Sequence, residues 1–422
     1  MGTLEGARKL DQQDLLREFR NEFNFPKTAN GENQLYFAGH SLGLMPKNAK
    51  EYVNEELEAW AELGVEGHFH AKHPWLPYHE NITGSFARLV GAKETEVVAM
   101  NTLTVNLHLL MVSFYRPTAK KFKILIENNT FPSDKYAVDS QARFHGYNPK
   151  EAVVELKPRP GEMIVREEDL FEQIDKLGDS LALVLLGNCN YLSGQCFPFE
   201  KITEKAHSHG ATVGFNLAHG AGNLHLKLHD WNVDFAVWCS YKYVNSGPGG
   251  LAGAFIHENH LNKKTIPRFE GWWGTKKESR FKMGPDFEAL PTAEAWQLSN
   301  PPIFQLASLR ASMEIFDKAT MEKLSQKRNH LTSFMEWNLQ TKLGSNIEVV
   351  TPPERGAMLC VRVKKDPKHL LEVLKSRSVI LDFRYPDILR MTPAPLYNSF
   401  EDVHRLIEIM KEALEEKPTR AT

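Results

Sequence analysis

Three short apolar runs in the middle of the chain, residues 181–186, 211–215 and 233–239, each stop at a cluster of polar side chains. Runs of this length, β-rich and bounded by turn residues, predict buried strands of a parallel sheet. Open α/β sheets bind their ligands at the carboxyl ends of such strands. The first run delivers Gly187-Asn-Cys-Asn-Tyr191 and then Ser193-Gly194. The second delivers Asn216-Leu-Ala-His219, and the third delivers Ser240-Tyr-Lys-Tyr243 just ahead of Gly247-Pro-Gly-Gly250. Polar groups from three strands thus leave one edge of the predicted sheet.

Lys242 carries the most chemistry among them. An amine at the end of a buried strand suits a Schiff base with a carbonyl cofactor, although a lysine there can also simply reach solvent. Upstream, the apolar run 123–127 precedes Phe131-Pro-Ser-Asp134, and Asn101-Thr-Leu-Thr104 opens an amphipathic stretch over 105–115. That stretch predicts a helix with Thr104 at its cap, and the free N–H groups of a helix start attract phosphate.

Composition sets the outer limits. A chain of 422 residues with 42% hydrophobic content can bury a large core and exceeds the usual single domain, so two domains are expected. Net charge is −2 and no basic stripe appears, which argues against nucleic acid as a partner. Uninterrupted apolar runs fall far short of the roughly 20 residues of a membrane helix, so no membrane partner is expected. The first ten residues lack an apolar signal core, and the cytoplasm is the expected compartment. Cys189, Cys196, Cys239 and Cys360 show no Cys-x-x-Cys spacing, which predicts reduced, buried thiols without a zinc or disulfide framework. His68, His70 and His73 lack a metal-ligand pattern, and no metal is expected. Periodicity predicts helices over 11–23, 48–63, 302–318, 368–376 and 400–415, strands over 347–351, 357–363, 379–382 and 388–392, and a frayed polar tail over 416–422.

Taken in order, Asn101-Thr-Leu-Thr-Val-Asn-Leu-His-Leu-Leu110, Phe131-Pro-Ser-Asp134, Trp238-Cys-Ser-Tyr-Lys-Tyr243, Arg280-Phe-Lys-Met283, Ser299-Asn-Pro-Pro302 and Pro395-Leu-Tyr-Asn-Ser-Phe400 resemble the kynureninase family, over about residues 34–410. The resemblance implies an α/β protein with the fold type I architecture of pyridoxal phosphate (PLP) enzymes. It implies a large domain with a mostly parallel seven-stranded sheet and a small α+β C-terminal domain. The boundaries expected are 1–74 for an N-terminal helical segment packing on both domains, 75–310 for the large domain and 311–422 for the small one. The implied reaction is hydrolytic Cβ–Cγ cleavage of L-kynurenine or 3-hydroxy-L-kynurenine, giving L-alanine and anthranilate or 3-hydroxyanthranilate, in a homodimer with its site at the subunit interface.

The same resemblance implies roles for individual residues. Lys242 would join the cofactor aldehyde and then move the substrate's α-proton. Leu103, Thr104, Pro132, Ser133 and Tyr241 would surround the phosphate, with Trp272 and Asn300 reaching it from the neighbouring subunit. Phe131 would lie on the ring, with Asp134 and His219 around it. Arg390 would clamp the substrate carboxylate, and His68, Ser299 and Asn300 would surround the aniline ring. One position departs from the family pattern: Asn216 stands where an aspartate is expected to pair with the cofactor's ring nitrogen, and an amide supplies no charge there. Gly187-Asn188 and Leu192 also depart, from a Gly-Gly or Ser-Gly pair and an aromatic, and Ala357-Met358 replaces a more polar pair. Two other readings stay open on sequence: a different fold type I enzyme, such as an aminotransferase or β-lyase, and a weakly active binder of PLP and kynurenine-like ligands.

Overall fold

A computed structural model describes residues 2–415, so the expected frayed tail over 416–422 lies outside the described residues. Seven strands form the central sheet: β1 (Val97–Ala99), β2 (Lys123–Glu127), β3 (Val153–Leu156), β4 (Leu181–Gly187), β5 (Thr212–Asn216), β6 (Phe235–Trp238) and β7 (Gly253–Ile256). The first six residues of β4 and all four of β6 are buried, the pattern of strands covered on both faces. Their spatial order is β1-β7-β6-β5-β4-β2-β3. β3, β2, β4, β5 and β6 run parallel, while β7 is antiparallel to β6 and β1. Gly187 pairs with Asn216 and Asn216 with Val237, so the carboxyl ends of β4, β5 and β6 lie side by side.

Several helices frame this sheet, and three expectations about them are corrected. α1 spans Leu4–Gln13 rather than 11–23: the Thr3 side chain caps it by accepting from Gly6 N–H. Asp14 ends it, with a carboxylate that accepts from Leu16 N–H at 2.9 Å and pairs with Lys327 at 2.7 Å. A 3₁₀ turn over Arg17–Glu22 follows. α2 (Ala49–Leu63) starts after Asn48 as expected. α3 (Leu103–Phe114) begins one residue before Thr104, so Thr102, not Thr104, occupies the cap position. It is also mostly buried rather than amphipathic, because it is wedged beside the sheet. α4 (Pro132–Phe144) places proline in its first turn, where the missing N–H costs nothing.

α5 (Ile303–Ala319) leads into α6 (Met321–Leu343), a helix of 23 residues absent from the sequence reading. Its buried face includes Ser325, Lys327, Arg328, Thr332 and Asn338, and polar residues at core positions blur the apolar period. A second, antiparallel sheet follows from β8 (Ile347–Val349), β9 (Leu359–Val363), β10 (Asp382–Arg384) and β11 (Ile388–Met391), in the order β8-β9-β11-β10. The expected strand over 379–382 is two: Val379–Ile380 pairs in parallel with Leu35–Tyr36 near the N-terminus, and β10 takes up after it. Two large apolar clusters flank the central sheet, one on each face, and a third joins the small sheet, α6 and the helix Phe400–Glu415 to Ala7, Leu35 and Phe37. Among the described residues no helix is long and apolar enough to cross a membrane.

Candidate active site

Of the residues expected in the site, the structure brings Leu103, Thr104, Phe131, Ser133, Asp134, Asn216, His219, Tyr241 and Lys242 around one cavity of about 160 Å³. Pro132 starts α4 beside it without lining it. Trp272, Asn300, His68 and Ser299 do not line it. Trp272 is half-exposed, its indole donating to the Arg280 carbonyl, and Ser299 and Asn300 lie on the surface.

One end of the cavity suits a phosphate. The first turns of α3 and α4 converge there, and Thr104 Oγ1 lies 2.8 Å from Ser133 Oγ. Displacing Thr104 from the cap into the first turn is what lets its hydroxyl meet Ser133. Two helix starts turn their positive dipole ends to an anion, and Tyr241 adds a phenol to the cavity lining.

Lys242 brings its amine to the same cavity. Lys242 Nζ lies 3.2 Å from His219 Nε2 and 5.8 Å from the Phe131 ring centroid. Burial lowers the lysine's pKa and so favours the neutral, nucleophilic amine. Burial also holds His219 well below the usual histidine range, so its imidazole is neutral.

Two carboxyl groups, Glu127 and Asp134, also line the cavity. Asn216 Nδ2 donates to Asp134 Oδ2 at 2.6 Å, while Asn216 Oδ1 accepts from Ala218 N–H at 2.9 Å. Burial pushes the Asp134 carboxyl up to about 6, opposed by the Asn216 bond and by Lys242. Glu127, at the end of β2, was not among the expected site residues. It accepts from Gly187 N–H at 2.8 Å, and burial with the nearby Asp134 pushes it up to about 8. The signal was present as a carboxylate closing a buried apolar strand. Because its folded pKa lies above the ordinary 4.5, the folded protein keeps a proton that the unfolded chain has released, and stability falls as pH rises from about 4.5 to 8. Glu127→Gln is expected to flatten that slope in the cofactor-free protein, by up to a few kcal/mol at the alkaline end. Urea melts at acid and alkaline pH check it; parallel slopes for the two proteins would contradict it.

Arg390 is buried on β11 and does not line the cavity. Its guanidinium donates to Asp382 at 3.1 and 2.7 Å and to the Tyr191 carbonyl at 2.8 Å. Tyr191 lines the cavity and meets the Phe131 ring edge-on, so this bond ties the arginine to the cavity wall. Arg384, also not expected, shares Asp382 and adds a second guanidinium near Tyr191.

The thiol expectation fails for one pair. Cys189 and Cys196 are disulfide-bonded, because the chain reverses after β4 and sets them opposite one another, whereas Cys239 and Cys360 are free and buried. Asn188 in the same loop is fully buried, and neither of its amide atoms has a partner among the described residues. Its amide presses on Gly220, where a Cβ would lie 1.8 Å from Nδ2. An unpaired buried amide costs about 1–3 kcal/mol, so Asn188→Ala is expected to raise the melting temperature. A lower melting temperature in calorimetry would contradict that. Leu192 lines a neighbouring cavity that shares Glu127 with the first, and Ala357 and Met358 are buried. A larger cavity of about 580 Å³ lies between Leu10–Leu16 and α6, lined in part by Lys323 and His330, and its Lys327 is paired with Asp14.

Residues 324–410 match the family model described as the kynureninase C-terminal domain. Over 408 residues the chain is 58% identical to the kynureninase of Myxococcus xanthus (strain DK1622), covering 96% of each. The chain belongs to the kynureninase family. Kynureninases from more distant sources are also similar, that of Christiangramia forsetii at 51% (98% of each chain) and that of the animal Nematostella vectensis at 44% (97% of this chain, 93% of the relative). Solved structures share the fold at lower identity. The Escherichia coli cysteine desulfurase CsdA has a TM-score of 0.76 at 17% identity, with 94% of this chain and 98% of that one covered. The enzyme C-DES, solved with glycine covalently linked to its PLP cofactor, has a TM-score of 0.76 at 18% identity, with 93% and 98% covered. The chain thus has the fold type I architecture, with an α/β core built on a mixed sheet.

Proposed function

We propose that this chain is a PLP-dependent kynureninase, a hydrolase that cleaves the Cβ–Cγ bond of L-kynurenine or 3-hydroxy-L-kynurenine to give L-alanine and anthranilate or 3-hydroxyanthranilate. The observation that carries the reading is the convergence of a desolvated amine, two helix starts with facing hydroxyls, and a polar wall in one cavity, in a chain of this family.

The cavity's chemistry fits the cofactor. Thr104, Ser133 and Tyr241, with the N–H groups of two helix starts, would hold its phosphate; Phe131 would cover its ring, and Asp134, Asn216 and His219 would meet the ring's polar edge. When bound, PLP supplies an aldehyde open to attack by an amine and a ring that withdraws electrons from the reacting carbons. Lys242 is the residue that would hold the cofactor through Nζ, and burial readies it by favouring the neutral amine. Once substrate takes its place, Lys242 Nζ accepts the proton from the substrate's Cα, and His219 Nε2 steadies it there. Arg390 spends three N–H bonds on Asp382 and Tyr191, which leaves donors of its rigid fork for the substrate carboxylate.

The reading also makes the working unit a homodimer. Trp272, Asn300, His68 and Ser299 lie away from this chain's own cavity, as residues serving a partner's site would. It divides the chain near residue 310 into a large cofactor domain and a small one, each built on its own sheet, and it places the enzyme in the cytoplasm with small diffusible substrates. Incubation of purified protein with PLP and 3-hydroxykynurenine is expected to release equimolar alanine and 3-hydroxyanthranilate. Bound cofactor without alanine release would overturn the activity, and consumption of an added keto acid would point to amino transfer instead.

A further inference from the structure

A pyridine ring withdraws electrons best while its nitrogen is protonated, and a buried N–H⁺ needs an anion beside it. The acidic side chains on the wall of the Lys242 cavity are Glu127 and Asp134. Glu127 is committed elsewhere: it accepts from Gly187 N–H and sits so close that a Cβ at Gly187 would lie 2.7 Å from its Oε1. Pushed up to about 8, it is also largely uncharged at neutral pH. Asp134 has Oδ2 held by the Asn216 amide at 2.6 Å, while its buried Oδ1 has no partner among the described residues. The amide's orientation is set from both sides, since Ala218 N–H must meet its oxygen and the Asp134 carboxylate its nitrogen.

We propose that Asp134, aimed by Asn216, is the anion that meets the cofactor's ring nitrogen in this chain. Asn216 is then a positioning residue, and the charge comes from the neighbouring helix α4 rather than from the end of β5. Its carboxyl, with a pKa pushed up to about 6, is mostly ionised at neutral pH before any cation arrives. The inference rests on the PLP reading above and deepens it.

The test uses holoenzyme reconstituted with PLP carrying ¹⁵N in the ring, because the nitrogen's chemical shift reports its protonation whether or not the enzyme turns over. Wild type is expected to show a protonated nitrogen between about pH 6 and 8.5. Asp134→Asn is expected to show a neutral nitrogen and to hold PLP about tenfold or more weakly. Adding Asn216→Asp to Asp134→Asn is expected to bring the protonated signal back. A neutral nitrogen in wild type, as when the second N–H of Asn216 donates to it, would overturn the inference, as would a protonated nitrogen that survives in Asp134→Asn. The substitution is nearly isosteric; should that variant fail to fold, the wild-type titration decides. Wild type that retains no PLP would instead strike down the cofactor reading, and this inference with it.

Discussion

Lys242→Ala is expected to lower kcat/KM for 3-hydroxykynurenine by about four decades or more, which is the scale on which losing a covalent catalyst is felt. The side chain does two jobs in the account, capturing the cofactor aldehyde and taking the Cα proton, and no neighbour can repeat both. His219 is the group within reach of the same position, but burial keeps it a neutral imidazole well below its usual pKa, a poor substitute for an amine. The fold should survive, because Lys242 makes no ion pair that holds elements together and its loop is anchored by backbone bonds such as Gly43 N–H to the Tyr241 carbonyl. The measurement is alanine release together with the absorbance of bound cofactor. Turnover within tenfold of wild type would contradict the assigned role.

Arg390→Lys is expected to cut kcat/KM by about two to three decades, mainly through KM, because a point-charge ammonium cannot keep the fork that meets Asp382 and the Tyr191 carbonyl and still present donors to a carboxylate. The same change should lower stability by about 2–4 kcal/mol, since it loosens a buried charge network. Arg384 shares Asp382 and keeps that carboxylate from being left wholly unpaired, which limits the damage. Steady-state kinetics separate the two effects from a thermal melt. A fall confined to kcat at unchanged KM would argue that Arg390 does not bind substrate.

The strands and their polar ends were legible in the sequence because buried parallel strands are continuous apolar runs with abrupt ends, and β4, β5 and β6 keep that form. The grouping of Lys242, His219 and Asn216 follows from those ends alone, whereas Phe131 joins them only through the family resemblance. What escaped depends on where the chain turns. Thr104 was read as a cap because it is the residue type a cap favours, yet the helix starts earlier and its hydroxyl turns to Ser133. Cys189 and Cys196 meet only because the loop after β4 folds back, which their spacing does not encode. α6 hid behind buried polar residues such as Lys327, whose partner Asp14 lies more than 300 positions away. Glu127 looked like a strand end until the tertiary fold set it against Gly187 and near Asp134.

The most direct test of the account is chemical trapping. Purified protein mixed with PLP and treated with borohydride should carry one pyridoxyl phosphate group per chain, and digestion with mass spectrometry should place it on the peptide containing Lys242. A tag on another lysine, or bound cofactor that washes away with Lys242 unmodified, would contradict the central claim that this amine is the one that captures the aldehyde.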